Sequence, residues 1–182
     1  MIIGLHGKAE CGKDTAAEVL CSQFGFYRIA FADSIRDVIT VLFQTTPYEL
    51  LTTEGKNKPL DHWPQFTGRV LMQLIGQGLR DVVDPDIWIK VAFQKMHRAR
   101  IDSGQQKFVI SDMRYPNELD FFKRNYGENF KTIQIIRPGK DGKIGIVGHS
   151  SEAHTLKCDT VVSNVGTIEE FQAKIAEIGK GF

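Results

Sequence analysis

The sequence predicts an α/β protein of three layers, in which a parallel β-sheet carries helices on both faces. Apolar runs of strand length alternate along the chain with segments of helical periodicity. The first apolar run leads through a glycine-rich turn into a helical segment. The length of 182 residues suits one domain with a core of its own and is short for two. We therefore expect a single domain over residues 1–182.

The predicted elements follow this alternation from one end of the chain to the other. Strands are expected at residues 1–5, 27–32, 107–111, 131–136 and 159–163. Helices are expected at about 14–24, 34–43, 67–80, 87–101, 116–125 and 167–178. Asp33 and Ser34 suit the N-cap of the second helix, and Pro85 suits the first turn of the fourth.

Two segments interrupt the regular order of strands and helices. A proline-containing excursion at 45–66 opens an inserted, mainly helical region at about 45–103. Four glycines recur in a loop at about 138–155. We expect both segments to lie outside the repeating strand–helix pattern.

Composition and charge narrow the classes of function. Hydrophobic residues make up 42% and charged residues 25% of the chain, as in ordinary globular proteins. The net charge of +1 does not predict a general nucleic-acid or membrane surface. No apolar run reaches the roughly 20 residues of a membrane helix, and the opening residues lack a signal peptide. The three cysteines have no metal-like spacing, so we expect reduced thiols in a cytoplasmic protein.

The strongest motif is a glycine-rich loop between the first strand and the first helix. Gly7, four further residues, Gly12 and Lys13 have the spacing of a phosphate-binding P-loop. Glycines allow backbone N–H groups to converge on phosphate oxygens, and the following helix directs its positive end to the same place. The predicted ATP-binding residues are Gly7, Gly12, Lys13, Asp14 and Thr15.

The loop departs from the usual motif at position 14. Asp14 replaces the Ser or Thr whose hydroxyl normally binds Mg²⁺, and Thr15 retains a hydroxyl one residue later. Asp112 ends an apolar strand, where a carboxylate can reach the same ion. We expect Asp14, Thr15 and Asp112 as Mg²⁺ ligands, although Asp112 is equally suited to pairing with Arg114 or capping the next helix.

The motifs together resemble one branch of the P-loop kinases. Gly12-Lys13-Asp14-Thr15 resembles the tetrad of bacteriophage deoxynucleoside monophosphate kinases, with phosphomevalonate kinases as more distant relatives. The resemblance spans about residues 2–155. It continues, in order, in the segments Phe31–Arg36, Arg69–Gly76, Asp86–Trp88, Asp112–Glu118 and His149–Glu152. The chain departs from the family at Gln77, where Thr is frequent, and at Arg36, where Lys is frequent.

The resemblance implies a fold of the P-loop NTPase, nucleoside monophosphate kinase type. It implies transfer of the γ-phosphoryl group of ATP to a deoxynucleoside monophosphate, with Mg²⁺, and Lys13 and Arg114 as catalytic residues. The inserted region would bind the monophosphate, and the loop at 138–155 would serve as a lid. The expected acceptor-binding residues are Asp33, Arg36, Arg69, Gln73, Gly76, Gln77, Trp88 and Arg114. A phage source would place the protein in the cytoplasm of the bacterial host.

The residues alone leave several alternatives open. A P-loop kinase of another phosphorylated acceptor, such as phosphomevalonate or dephospho-coenzyme A, fits the same loop. A nucleotide-binding module without catalysis fits it as well. Trp88 suits either base stacking or a core position, and Asp33 either substrate binding or helix capping. The sequence is compatible with several acceptor bases and with either a monomer or a homodimer. We expect small-molecule substrates, with neither nucleic acid nor membrane as a partner.

Overall fold

The described residues of the computed structural model, 1–138 and 156–182, fall into two units. The first unit consists of Met1–Ala30 and Phe93–Phe182, and the second consists of Phe31–Ala92. The first unit is therefore built from two separate stretches of chain, whereas the second is one continuous stretch.

A parallel sheet of five strands forms the centre of the first unit. The strands are β1 (Ile2–His6), β2 (Tyr27–Ile29), β3 (Phe108–Met113), β4 (Phe130–Ile136) and β5 (Thr160–Ser163). Their order is β2-β3-β1-β4-β5, and all neighbouring pairs are parallel. All five residues of the central strand β1 are buried. A parallel strand with both faces covered requires such a run of apolar residues, because each face packs against helices.

Helices cover both faces of this sheet. Those of the first unit are α1 (Lys13–Phe24), α6 (Pro116–Tyr126), α7 (Ile168–Gly179) and the part of α5 (Ile87–Ser103) from Phe93 onwards. Helices α1 and α7 pack together over Leu5 and Ile133 on one face. On the other face, the ring of Phe122 in α6 lies 5.5 Å from that of Phe130 in β4. The predicted three-layer α/β fold is thus confirmed.

The second unit is helical. Its helices are α2 (Phe31–Phe43), α3 (Pro47–Leu51), α4 (Gly68–Val82) and the start of α5. Helices α2 and α4 approach closely at Gly76, where an added Cβ would lie 3.1 Å from Ile35 Cδ1. The side chain of Phe43, at the end of α2, makes edge contacts with the rings of Trp63 and Phe66.

The boundary between β2 and α2 differs from its prediction. The strand expected at 27–32 ends at Ile29, and the helix begins at Phe31. Phe31, Ile35 and Ile39 are all buried at intervals of four residues, so the apolar stripe of the helix includes Phe31. The prediction that Asp33 or Ser34 caps the helix is therefore wrong, because these are its third and fourth residues. The Asp33 carboxylate still faces the positive end of the helix dipole.

The excursion at 45–66 contains local structure that the periodicity did not reveal. Thr46 caps the five-residue helix α3, since its Oγ1 accepts a hydrogen bond from the Glu49 N–H, and Glu49 Oε2 accepts one from the Thr46 N–H at 2.7 Å. A single 3₁₀ turn follows at Gly55–Asn57. A helix of five residues is too short to show a repeat of 3.6 residues.

Two segments of the chain bear on the predicted domain organisation. That residues at about 45–103 form an insertion within a single domain stays a prediction. The lid-like loop at 138–155 lies, apart from Pro138, outside the described residues, as does the segment His149–Glu152.

Within residues 1–138 and 156–182, no helix has the length and apolar character needed to span a membrane.

A carboxylate fixes the start of β5 against β4. Asp159 Oδ2 accepts hydrogen bonds from the Thr132 N–H at 2.8 Å and from the Thr132 hydroxyl at 2.7 Å. Burial opposes the charge of Asp159, but the hydrogen bonds from Thr132, together with the charges of Lys123 and Lys131, outweigh burial and hold the pKa of this carboxyl below its usual value of 3.8. The ionised form of Asp159 therefore stabilises the folded chain.

We predict that Asp159→Asn lowers the free energy of unfolding at pH 7, and that the difference from the original chain shrinks in acid. A carboxyl whose pKa is lowered by folding contributes stability above its unfolded pKa, and this contribution is lost as the pH falls through the folded pKa. The loss should therefore occur below about pH 4. Urea unfolding of both proteins between pH 7 and pH 3 measures the difference. Asp102→Asn, at an exposed position near the end of α5, is the control. A difference that stays constant across this pH range would contradict the assignment.

Candidate active site

The glycine-rich loop connects the central strand β1 to α1 and has an unusual backbone. Gly7, Glu10 and Gly12 have positive φ angles of 151°, 59° and 109°. Such angles favour glycine, because a Cβ would crowd the backbone. Gly12 immediately precedes α1, so the N-terminal N–H groups of the helix begin where the loop ends.

Gly7 is also required for steric reasons. A Cβ at Gly7 would lie 2.4 Å from the carbonyl oxygen of Ile135 in β4 and 2.6 Å from Cys11 Sγ. Backbone lines one side of this position, so a side chain could be accepted only if the loop moved away from β4.

The Lys13 side chain is folded back into the loop. Its Nζ donates hydrogen bonds of 2.7 Å to the carbonyl oxygens of both Gly7 and Lys8. Lys13 is only 9% exposed, and burial lowers the pKa of its ammonium group. The two carbonyl dipoles replace water around the buried cation, so the loop holds a positive charge at its centre.

Charged side chains from α1 and from the end of β3 act on this ammonium group. After burial, which has the largest effect, Arg114 further lowers the pKa of Lys13, while Asp112 and Asp14 raise it. Asp112 lies in β3, one residue before its end, and Arg114 directly follows the strand. The structure thus brings Asp14, Asp112 and Arg114 within electrostatic range of Lys13.

His6, the last residue of β1, belongs to the same neighbourhood. Its Nδ1 donates a 3.1 Å hydrogen bond to the Met113 carbonyl. Burial lowers the pKa of His6, and the charges of Lys13 and Arg114 lower it further against the opposing effect of this hydrogen bond. A neutral His6 adds no positive charge beside Lys13.

The backbone that carries Arg114 is fixed by a buried carboxylate that the sequence analysis did not single out. Glu118 is 1% exposed, and its Oε2 accepts hydrogen bonds from the N–H groups of Arg114 at 2.7 Å and Tyr115 at 3.1 Å. The bond from the Tyr115 N–H also forms part of the N-terminal cap of α6. Within the motif Asp112–Glu118, Glu118 therefore positions the backbone of Arg114.

A second residue missed from the sequence lies beside the loop. Asn164 directly follows β5, and its Nδ2 donates a 2.8 Å hydrogen bond to the Cys11 carbonyl. A polar residue at the carboxyl end of a parallel strand is the sequence signal that could have indicated it, because ligands of α/β proteins bind at that edge.

Thr15 lies in the first turn of α1. The predicted acceptor-binding residues other than Arg114 lie in the second unit, four of them on α4. Arg69 Nε donates a 2.8 Å hydrogen bond to Asn57 Oδ1 in the 3₁₀ turn. One helical turn later, the side-chain oxygen of Gln73 is buried without a hydrogen-bond partner. Gln77 Nε2 donates to Asp81 Oδ1 at 2.7 Å, along the same helix. Residues spaced by four share one helix face, so Arg69, Gln73 and Gln77 are neighbours on α4.

The carbonyl of Gly76 links α4 to Trp88. Trp88 is 3% exposed, and its indole N–H donates a 2.8 Å hydrogen bond to the Gly76 oxygen. Arg80 Nη1 donates to the same oxygen at 3.3 Å. Trp88 thus packs as a buried side chain in the second unit, and base stacking by its ring stays a prediction.

On α2, Arg36 and Asp33 form an ion pair through Arg36 Nη1 and Asp33 Oδ1. Arg36 Nε is buried and has no hydrogen-bond partner. The carboxylate orients the guanidinium group and leaves a buried donor that an anionic oxygen could satisfy.

The donor set for Mg²⁺ consists of few protein oxygens. Within residues 1–138 and 156–182, no group of three His, Cys, Asp or Glu side chains could hold a metal ion. Mg²⁺ in kinases is held by one or two carboxylates together with phosphate oxygens and water, so no cage of protein ligands is required. The Asp14 side chain is 93% exposed and the Asp112 carboxylate lies within electrostatic range of Lys13, which fits such an ion.

A parallel sheet with a P-loop at the end of its central strand, and a buried lysine where that loop meets α1, defines the class of P-loop nucleotide-binding proteins. A profile of the deoxynucleotide monophosphate kinase family matches residues 52–175. A protein of Acanthamoeba polyphaga mimivirus, provisionally named a deoxynucleotide monophosphate kinase, is 32% identical to this chain over an alignment 194 residues long. The alignment covers 96% of this chain and 94% of the viral protein. The chain therefore belongs to the deoxynucleotide monophosphate kinase family and is an ATP-dependent phosphotransferase.

Solved structures of other kinases are similar over nearly the whole chain. Dephospho-CoA kinase from Campylobacter jejuni is 17% identical, with a TM-score of 0.49 and coverage of 99% of this chain and 96% of that one. Shikimate kinase from Aquifex aeolicus is 16% identical, with a TM-score of 0.48 and coverage of 100% and 97%.

We predict that Gly7→Ala weakens nucleotide binding by about tenfold or more, because the new methyl group would displace the loop from β4 at a cost of about 1–3 kcal/mol. Gly25→Ala is the matched control: Gly25 also has a positive φ, of 70°, but no atom lies within 4 Å of its added Cβ. The control should lower stability only, by about 1 kcal/mol. Calorimetric titration with ADP, together with thermal melting, separates the two effects. Equal ADP affinities in the two variants would show that the contact with β4 is unimportant.

Proposed function

We propose that the protein transfers the γ-phosphoryl group of ATP to a deoxynucleoside 5′-monophosphate and releases a deoxynucleoside diphosphate and ADP. Membership of the deoxynucleotide monophosphate kinase family is the observation that carries this proposal. The buried ammonium group in the phosphate loop supports it, because it would face the donor phosphates.

The donor phosphates would bind in the loop between β1 and α1. The N–H groups of the loop and of the first turn of α1 would donate hydrogen bonds to phosphate oxygens. Lys13 would exchange its bonds with the Gly7 and Lys8 carbonyls for bonds to the β- and γ-phosphates. Because the cation is already desolvated in the loop, little solvent reorganisation would accompany this exchange.

The chemical step needs no covalent intermediate. An oxygen of the acceptor phosphate forms a bond to the γ-phosphorus, the bond from that phosphorus to the bridging oxygen breaks, and ADP leaves with the electron pair. A phosphate monoester has a second pKa near about 6, so the acceptor is already mostly dianionic at neutral pH. No general base is therefore required, and Asp112 need not remove a proton.

Charge neutralisation would then provide most of the catalysis. Lys13 and Arg114 would bind the oxygens of the transferred group, and Glu118 keeps the Arg114 backbone in place. Asp14, Thr15 and Asp112 would hold Mg²⁺, which when bound would neutralise charge on the β- and γ-phosphates.

The acceptor would be recognised by residues of the second unit. Arg69 and Arg36 are the cations that we assign to the acceptor phosphate, because one guanidinium group can donate two hydrogen bonds to the oxygens of a phosphate. Gln73 and Gln77 follow Arg69 on the same helix face and would reach the nucleoside. Asp33 would act through Arg36, with which it is paired. Gly76 and Trp88 would shape the site through the hydrogen bond between them.

A panel of acceptors tests the proposed reaction directly. Purified protein is incubated with ATP, Mg²⁺ and each common deoxy- or ribonucleoside monophosphate, and the products are resolved chromatographically. Phosphomevalonate and dephospho-coenzyme A are included as rival acceptors. Conversion of at least one deoxynucleoside monophosphate to its diphosphate is expected. Phosphorylation of a rival acceptor alone, or ATP binding without any transfer, would refute the proposal.

We predict that Lys13→Ala lowers kcat/KM by about two orders of magnitude or more, because the variant loses the cation that stabilises the transferred phosphoryl group. Steady-state kinetics with the best acceptor measures the loss. Lys180→Ala, at an exposed position near the end of the chain, should leave kcat/KM unchanged. Near-normal turnover of the Lys13 variant would remove this residue from the reaction.

We predict that Arg69→Ala raises the KM for the acceptor by about tenfold or more, while the KM for ATP changes little, because one charge-assisted hydrogen bond to the acceptor phosphate is lost. Varying each substrate separately measures the two constants. Arg124→Ala, on the exposed side of α6, is the control for loss of a surface arginine. If the acceptor KM and kcat of the Arg69 variant are unchanged, Arg69 does not bind the acceptor.

A further inference from the structure

Asn164 connects three separate parts of the first unit. Its backbone N–H donates a 2.7 Å hydrogen bond to the Ile136 carbonyl at the end of β4. Its side-chain Nδ2 donates a 2.8 Å hydrogen bond to the carbonyl of Cys11, 153 residues earlier in the chain. The amide group of Asn164 is therefore anchored to the sheet through its own main chain and reaches from there to the phosphate loop.

The contact lies at the turn where the loop becomes a helix. A Cβ added to Gly12 would lie 2.6 Å from Asn164 Nδ2 and 3.1 Å from the ring of Phe171 in α7. Gly12 has a φ of 109°, and its carbonyl accepts the first helical hydrogen bond from the Ala16 N–H. The peptide that Asn164 binds is thus the one that joins Cys11 to this glycine.

Peptide geometry gives this hydrogen bond a second effect. In a planar trans peptide, the C=O of one residue and the N–H of the next point in opposite directions. Since the Cys11 carbonyl points towards Asn164, the Gly12 N–H points away from Asn164. A peptide that precedes a glycine with positive φ has alternative orientations available, because glycine tolerates both signs of φ.

We propose that Asn164 is a positioning residue for the donor phosphates: by holding the Cys11 carbonyl, it keeps the Gly12 N–H directed into the loop as a phosphate donor. Without this bond, the Cys11–Gly12 peptide can rotate and remove one N–H from the phosphate site. The proposal rests on the proposed donor site at Gly7–Lys13, but it is independent of the identity of the acceptor.

Binding of ADP tests the proposal without any turnover. Asn164→Ala should raise the Kd for ADP by about fivefold to tenfold, as expected for loss of one hydrogen bond that orients a phosphate donor. Asn164→Asp has nearly the same shape but places a carboxylate oxygen against the Cys11 carbonyl, and it should raise the Kd further. Asn125→Ala is the matched control, because Asn125 also donates its Nδ2 to a carbonyl, that of Phe121 within α6. Its Kd should stay within about twofold of the original protein.

Kinetics adds a readout that a general loss of stability would not produce. The KM for ATP should rise in both Asn164 variants, whereas the KM for the acceptor should stay unchanged. Thermal melting checks that each variant is folded, and the isosteric Asp variant carries the test if the Ala variant is not. ADP affinities within twofold of the original in a folded Asn164 variant would overturn the proposal.

A spectroscopic measurement follows the Gly12 N–H itself. Cys11-Gly12 is the only Cys-Gly pair in the sequence, so labelling with ¹³C-carbonyl cysteine and ¹⁵N glycine yields a single resonance in a carbonyl-correlated amide spectrum. ADP should shift this resonance strongly in the original protein and much less in Asn164→Ala. Absence of a shift in the original protein would also overturn the proposal. If ADP binds as expected and no nucleoside monophosphate is phosphorylated, the proposed function fails and the role of Asn164 stands.

Discussion

The interaction on which the site depends is the pairing of a buried ammonium group with two backbone carbonyls. Lys13 can remain charged inside the loop because Gly7 and Lys8 offer their oxygens at 2.7 Å in place of water. The loop that offers these carbonyls has positive φ angles at Gly7, Glu10 and Gly12, outside the usual strand and right-handed helix regions. The close approach of Gly7 to Ile135 then fixes the loop against the sheet. The position of one cation thus follows from a chain of backbone constraints.

Most of the fold was predictable from the sequence because its signals are local. The apolar runs and the helical periods identified all five strands and the longer helices, with ends that mostly agree within one or two residues. The errors lie where a local signal is ambiguous. Phe31 belongs equally well to an extended run or to the stripe of a helix with Ile35 and Ile39, and only its burial decides between them. Helix α3 was missed because its five residues are fewer than two helical turns.

The residues of the predicted site also divide into those with a local sequence signal and those without one. The phosphate loop was evident because all its residues are contiguous in sequence, and the order of the later motifs indicated the family. Asn164 and Glu118 were not identified as important because their roles depend on distant or main-chain partners. No periodicity shows that Asn164 meets the Cys11 carbonyl, since the sheet order β1-β4-β5 brings them together. The roles of the individual residues on α2 and α4 stay predictions, because they depend on an acceptor.

The strand order also has a consequence for the way the chain is synthesised. β1 and β2 are made first, yet β3 separates them in the sheet, and β3 begins only at Phe108. As the polypeptide leaves the ribosome, the two earliest strands therefore have no neighbour with which to form their native hydrogen bonds. About 100 further residues must be synthesised before β3, the strand between β1 and β2, can pair with β1. The second unit, which is continuous in sequence, faces no such delay, so helices α2 and α4 can pack before the sheet is assembled.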